Sequence, residues 1–392
     1  MKKSVKVIFH IDLNQFYCSC ALIENKSLKG KPFAIGRENS FKGVLSTASY
    51  EARKYGVKSG MSLREAFNLC PKLIIVNHDM RLYKYYSDIF FNYLSQYSQV
   101  IEKASIDECY MDVTHLLDRI HPEKLALHIQ NELLHTYNLP VSIGIGPTMF
   151  LAKMASDLKK PLGITVLRKR DIKNILYPLD VSSIYGIGMR SSPKLHQKNI
   201  HTIADFMNTE NKDIILQVIG KKQYDHAVLC LLGQSSDVVD PNKYSNFESI
   251  STSRTFDNYL IGEQLISDVL IEMTKNMHAK LKFKKYCCKT VSITLRDKSF
   301  KTITRSFSFN EYTNDYYIVA DKVLELFEDN YNLEEIRLCG VGLSNLIKEE
   351  EIIEDYNLFT LLNRDEKDEK LDLIITNFKN KFGEKIIKKG TK

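Results

Sequence analysis

The stretch Val100-Ile101-Glu102-Lys103-Ala104-Ser105-Ile106-Asp107-Glu108-Cys109-Tyr110-Met111-Asp112-Val113 reads as two short strands joined by a polar bend. Upstream, Val5, Val7, Phe9 and Ile11 alternate with Lys6, Ile8 and His10, a mostly buried strand that ends at Asp12. Downstream, Val141–Gly146 reads as a third strand. It feeds a helix over 147–160 that Pro147 opens and Pro161 closes. A short strand over 164–167 follows. Strands and helices mix here without strict βαβ repetition, so the expected class is α+β rather than a doubly wound sheet.

Around this centre the pattern turns helical. Residues 13–79 read as a helical section set between the first strand and the hairpin, and 171–237 as short amphipathic segments around Tyr185-Gly186-Ile187-Gly188. A polar linker with Pro241 follows over 239–247. Beyond it, strand-like runs at 290–295, 302–309 and 337–341 alternate with helices at 263–283 and 316–330, a second α+β domain. The 392 residues suit two to four domains, and 44% apolar with 26% charged residues is the mix of a globular protein with true cores. The net charge of +7 is a modest basic excess, compatible with a polyanionic partner without requiring one. Its distribution says more. Between Lys282 and Lys301 stand seven basic residues against the single acid Asp297, whereas the tail from Glu349 is acid-rich. No C-x-x-C pair occurs among the eight cysteines, so no structural zinc site is expected, and scattered thiols suit a reducing, cytoplasmic location. No apolar run has signal-peptide or membrane-spanning length, so no membrane partner is expected.

Three carboxylates carry the chemistry. Asp12 at a strand end is, by itself, as much a turn-former as a catalytic group. Asp107 and Glu108 are adjacent acids beside apolar strand residues, a costly pairing unless positive charge sits between them. Successive strand residues face opposite ways, so both acids can face one site only if they sit at the bend; an ordinary acidic turn is the competing reading. Together the three have the composition of a two-magnesium site, in which hard oxygen ligands leave positions open for water and phosphate. Ser46-Thr47-Ala48-Ser49-Tyr50-Glu51-Ala52-Arg53 looks like the start of a helix, with Tyr50 and Arg53 on one face and Thr47 near unpaired N–H groups that attract anions. Lys160 adds a cation, although Arg53 and Lys160 taken singly read as solvated surface charges. Gly144-Ile145-Gly146-Pro147 lacks the spacing of a phosphate loop. Gly186-Ile187-Gly188 is either a plain tight turn or one that presents N–H groups to a DNA phosphate.

Four segments in this order, His10 to Tyr17, Ser46 to Val57, Ala104 to Glu108 and Ala152 to Pro161, resemble the motifs of Y-family (translesion) DNA polymerases. The Leu45-Ser46-Thr47-Ala48-Ser49-Tyr50 form and the short tail resemble the bacterial DNA polymerase IV class. The resemblance runs from about Val5 to Leu346 and weakens in the last hundred residues. It implies an α+β, multidomain right hand: a ferredoxin-like palm (1–12 and 80–168), small fingers (13–79), a helical thumb with a helix-hairpin-helix turn (169–238), a linker (239–247), an α+β little finger (248–346) and a tail (347–392). It implies template-directed, low-fidelity addition of dNTP to the primer 3′ end of primer-template DNA by a monomer. Asp12, Asp107 and Glu108, with the Leu13 carbonyl, would hold two Mg2+ ions, for which Mn2+ can substitute. Tyr17, beside Phe16, would exclude a ribose 2′-hydroxyl. Thr47, Tyr50, Arg53 and Lys160 would hold the triphosphate, and Gly186, Gly188, Lys282, Lys284 and Lys285 the DNA backbone. Three departures stand out: Leu13 replaces a frequent aromatic, Asn14 a further Asp, and Asp355 the Gln of a clamp-docking peptide that would end at Leu358 and Phe359. Another palm-domain two-metal enzyme, such as a nucleotide cyclase, and a catalytically dead DNA-binding relative are the competing functions.

Overall fold

The computed structural model describes residues 5–37, 43–243, 245–332 and 335–352. The chain divides after Asn246 into two compact units. In the first, β1 (Ile8–Leu13) turns through Asn14 and Gln15 into α1 (Phe16–Glu24). The next segment, expected to be helical, instead holds a small sheet of β2 (Phe33–Ile35), β3 (Thr47–Ala48) and β4 (Ile74–Val76), ordered β3-β2-β4, with α2 (Tyr50–Arg53) and α3 (Leu63–Leu69) beside it. Strands of two or three residues are too short to show a period of two. Thr47 is therefore a strand residue, and Ser49 caps α2 by accepting from the Ala52 amide.

After α4 (Met80–Leu94), the strands β5 (Ile101–Lys103) and β6 (Glu108–Asp112) form the hairpin, so Glu108 is already a strand residue and the bend ends at Asp107. The amphipathic α5 (Pro122–Tyr137) leads to β7 (Val141–Gly146), α6 (Met149–Leu158) and β8 (Ile164–Val166). Thr148 caps α6 through the Leu151 amide; Pro147 thus precedes the cap, and Lys160 lies two residues past the helix end. The five-stranded sheet runs β5-β6-β1-β7-β8 with β1 at its centre, antiparallel except for the β7–β8 pair. Phe9, Ile11 and Leu13 face the main core while Ile8 packs with Ala152 of α6. Both faces of β1 are covered, which explains its near-continuous apolar run. The approach of α6 to β7 is backbone to backbone: a Cβ at Gly144 would stand 1.9 Å from the Ala152 carbonyl oxygen and 2.4 Å from the Ser156 nitrogen.

Five short helices complete this unit: α7 (Ile172–Ile175), α8 (Ser192–His196), α9 (Ile203–Met207), α10 (Lys212–Ile219) and α11 (Lys221–Leu231). They pack around Leu195, Ile203, Phe206 and Ile215. Gly186, with φ of 101°, lets the chain turn before α8, and neither it nor Gly188 has an atom near its missing side chain.

The second unit is a four-stranded antiparallel sheet with two helices on one face. The elements are β9 (Ser249–Leu260), α12 (Glu263–Phe283), β10 (Tyr286–Asp297), β11 (Thr302–Thr313), α13 (Tyr316–Glu328) and β12 (Ile336–Lys348), in the order β11-β10-β12-β9. Val291, Ile293, Val341 and Leu343 meet Met277, Leu281 and Phe327 in its core. The opposite face is small and hydroxylated: Thr304, Thr294, Gly340 and Ser253 form one row across the four strands, and Ser306, Ser292, Gly342 and Ser251 the next. That composition hid β9 in the sequence, because an edge strand with one solvated face need not look apolar. The basic stretch is not one patch. Lys282, Lys284 and Lys285 cluster at the end of α12, while Lys298 and Lys301 lie beyond the far end of β10, roughly 40 Å away at 3.3 Å per residue. No helix among the described residues is long and apolar enough to cross a membrane.

Candidate active site

The sheet brings the three carboxylates together through its register. Asp12 pairs with Glu108 across β1 and β6, and the Leu13 amide donates to the Asp107 carbonyl at 2.9 Å, holding the bend against the end of β1. A cavity of about 160 Å³ opens there, lined by Asp12, Leu13, Asn14, Gln15, Phe16, Thr47, Tyr50, Arg53, Asp107 and Lys160. The expected triphosphate set is thus gathered beside two of the three acids.

Cations answer the acids unequally. The Lys153 ammonium lies 2.9 Å from Glu108 and 3.5 Å from Asp12, and the Lys160 ammonium 2.8 Å from Asp12. Burial would lower both lysine pKa values, but the surrounding carboxylates outweigh it and raise them, so both remain charged. The His10 ring, with Nε2 at 3.3 Å, and the Lys153 ammonium hold Glu108 down at about 2. Burial pushes His10 the other way, towards its neutral form. Among the described residues no cation forms an ion pair with Asp107. Burial, followed by the charges of Asp12 and Glu108, raises its pKa, although Ser105 donates to it at 2.6 Å. Atoms of His10, Asp12 and Glu108 capable of binding a metal lie within 4.8 Å of one another. Clustered carboxylate oxygens that already draw in two ammonium groups, with a third acid left without a cation, are a donor set that fits hard divalent ions.

Buried hydrogen bonds fix the frame. His10 Nδ1 lies 2.8 Å from the Ser156 hydroxyl on α6. Asn14, the residue in place of a frequent acid, is buried and structural: it donates to Ser142 at 2.9 Å and accepts from the Leu162 amide at 2.8 Å. Gln15 accepts from the Tyr50 amide at 2.7 Å, tying the start of α1 to α2. Arg53 is aimed by bonds to the Ala48 carbonyl (2.9 Å) and Thr47 hydroxyl (3.3 Å), with its guanidinium 5.1 Å from the Tyr50 ring. Tyr17 stacks on Tyr83 at 4.1 Å and is flanked by Phe16 and His78; Phe16, not Tyr17, lines the cavity wall. Burial and then the nearby Asp107 charge push the Tyr17 phenol up.

Other expected site residues are not gathered here. Gly186 and Gly188 belong to the α7–α11 part of the unit and do not line the cavity. Lys282, Lys284 and Lys285 are exposed in the second unit. Leu358 and Phe359 lie outside the described residues. Sequence reasoning assigned no role to Lys153, Asp157, His10 or Ser156. The available signals were the i, i+4 pair Lys153–Asp157 and a histidine two residues before Asp12 on the same strand face.

Residues 11–157 match the impB/mucB/samB family and residues 247–355 its C-terminal domain. The chain is 38% identical to DNA polymerase IV of Oceanobacillus iheyensis over 97% of its own length and 91% of the relative's. It is 34% identical to DNA polymerase IV 1 of Bacillus subtilis, over 98% and 92%. A solved Y-family DNA polymerase chimera of Dbh and Dpo4 superposes with a TM-score of 0.76 at 25% identity, covering 87% of this chain and 99% of that one. DinB from Sulfolobus solfataricus superposes at 0.60 with the same identity and coverage. These likenesses favour neither the cyclase-like nor the catalytically dead alternative. The chain belongs to the Y family of DNA polymerases, within the DNA polymerase IV class, and is a DNA-directed DNA polymerase of the translesion type.

Proposed function

We propose that Asp12, Asp107 and Glu108, with the Leu13 carbonyl, hold two Mg2+ ions, replaceable by Mn2+, and that dNTP is joined there to the 3′ end of a primer on template DNA. The observation that supports this most is the convergence of Asp12 and Asp107 on one cavity beside Thr47, Tyr50, Arg53 and Lys160, with Glu108 paired to Asp12 across the adjoining strands. Membership of the family makes the activity dependent on a divalent metal. When bound, such ions activate the attacking hydroxyl and neutralise charge on the leaving phosphate. The chain's own part is positioning. His10 and Lys153 hold Glu108 ionised, and the bend keeps Asp107 facing the cavity. Arg53 directs its remaining donors at the phosphates, and Tyr17 with Phe16 forms a wall at the sugar.

In this reading 1–12 with 80–168 is the palm, 13–79 the fingers, 169–238 the thumb, 239–247 the linker and 248–346 the little finger. Gly186 and Gly188 offer open backbone to the primer-template. Lys282, Lys284 and Lys285 meet phosphates, and the hydroxylated face of the second sheet suits close contact without base readout. The enzyme acts as a cytoplasmic monomer, and its tail docks on the replication sliding clamp through Leu358 and Phe359. Leu358→Ala/Phe359→Ala should leave unassisted synthesis intact and remove clamp stimulation; equal stimulation of both proteins would refute the docking.

Primer extension tests the centre. Asp107→Asn removes one charge from the metal site and no DNA contact, so primer-template binding should persist while nucleotide addition nearly vanishes. Extension at more than roughly a tenth of the wild-type rate would count against the assignment.

A further inference from the structure

The two lysines at the acidic centre differ in their freedom. Lys153 sits in the middle of α6 with a side chain 10% exposed, fixed between Glu108, Asp12 and Asp157. Lys160 lies past the helix end and is 28% exposed, with its ammonium 2.8 Å from both Asp12 Oδ2 and Asp157 Oδ1. Asp157 itself is 48% exposed and offers Lys160 a second resting place away from the cavity. A divalent cation approaching Asp12 meets the positive charge of an ammonium held 2.8 Å from Oδ2, and each cation weakens the hold of the other on that carboxylate. The two cations therefore compete for Asp12.

We propose that Lys160 is a resident counter-cation of Asp12, held there until a nucleotide triphosphate draws it away, so that the triphosphate and the divalent metal bind as a positively coupled pair. This rests on the reading of the centre as a metal and triphosphate site. Without metal, Lys153 and Lys160 offset the repulsion of acids brought together by the sheet register. When the triphosphate arrives, its oxygens offer Lys160 a better partner, and Asp12 is freed to serve as a metal ligand. Coupling of this kind is reciprocal: metal at Asp12 displaces Lys160 towards the phosphates and tightens nucleotide binding by the same factor. Lys153, enclosed by three carboxylates, stays in place throughout as the permanent charge.

The test is direct Mn2+ binding to the full-length protein without nucleotide, read from the loss of the free-ion electron paramagnetic resonance signal. Lys160→Met should bind Mn2+ roughly three- to tenfold more tightly than wild type. Asp157→Asn, which removes the alternative partner, should bind it more weakly. Lys159→Met, which removes an equal charge one residue away, should stay within about twofold of wild type. Wild type should gain Mn2+ affinity on adding a non-hydrolysable dNTP, and Lys160→Met should gain much less. Unchanged Mn2+ affinity in Lys160→Met, or an equal rise in Lys159→Met, would overturn the competition. Asp107→Asn separates that failure from failure of the site itself: if it binds Mn2+ as well as wild type, the metal-site reading falls.

Discussion

Tyr17 lies outside the cavity wall, and its proposed role at the sugar rests on how firmly its ring is held. The left-handed turn at Gln15, with φ of 42°, starts α1 so that Phe16 lines the cavity and Tyr17 lies beside it. Stacking on Tyr83 at 4.1 Å and edge contact with His78 hold the Tyr17 ring in one orientation. A rigid ring discriminates by clash, because it cannot swing aside for one extra hydroxyl. Tyr17→Ala should therefore keep deoxynucleotide addition measurable and raise ribonucleotide addition by roughly one to three orders of magnitude. Single-nucleotide insertion kinetics with matched dNTP and rNTP measure this. Parallel loss of both activities would make Tyr17 a packing residue, and an unchanged ratio would move the wall to Phe16. The acids of the site were legible in the sequence because their type and spacing are local. Their partners were not, since His10 meets Ser156 across 146 positions and Lys153 meets Glu108 across 45. Asn14 was opaque for the same reason: only the fold reveals that Ser142 and Leu162 use both ends of its amide.

At the scale of elements, α6 carries Lys153, Ser156 and Asp157 to the centre, and Gly144 sets how near it can come. The expected bounds of β7 hold to the residue, because six buried residues between turn signals leave little freedom. The bounds of α6 contract at both ends, since Thr148 rather than Pro147 supplies its cap. The sheet of β2, β3 and β4 and the edge strand β9 went unread, the first for shortness and the second for polarity. Gly144→Ala tests the α6 contact. The added methyl would overlap the Ala152 carbonyl and the Ser156 nitrogen, both backbone atoms that cannot rotate away. Overpacking of this kind costs about 1–3 kcal/mol or more, well above the few tenths to 1 kcal/mol that alanine returns by restricting the unfolded chain. The urea midpoint should fall accordingly, and Glu108 should lose its Lys153 partner as α6 shifts. A variant as stable as wild type would mean that α6 has room to move, and that the position of Lys153 is not set by this contact.

For the molecule as a whole, the question is where one folding unit stops. Composition placed the break in a linker from 239 to 247, but the first unit holds on to most of that segment. Val239 packs with Ile8, Tyr110 and Ala152, the Asp240 amide donates to Glu102 at 3.0 Å, and the Lys243 ammonium pairs with the same carboxylate, whose side chain is 3% exposed. A cut after Val239 would take both partners from that carboxylate and so destabilise the unit. A cut after Asn246 keeps them, so residues 1–246 should unfold cooperatively on their own, with their own apolar cores intact. Removing the second unit also removes Lys282, Lys284, Lys285 and the hydroxylated sheet face. Since each phosphate contact contributes to the salt dependence of binding, the fragment should bind primer-template more weakly, with a shallower slope of log affinity against log salt. It should still add nucleotides slowly and let go of the primer sooner, because the three acids and the triphosphate residues all lie in the first unit. Titrations of full-length protein and fragment at several salt concentrations decide this. Equal affinity and equal slope would show that the second unit makes no contact with the DNA backbone, and its basic cluster would then need another partner.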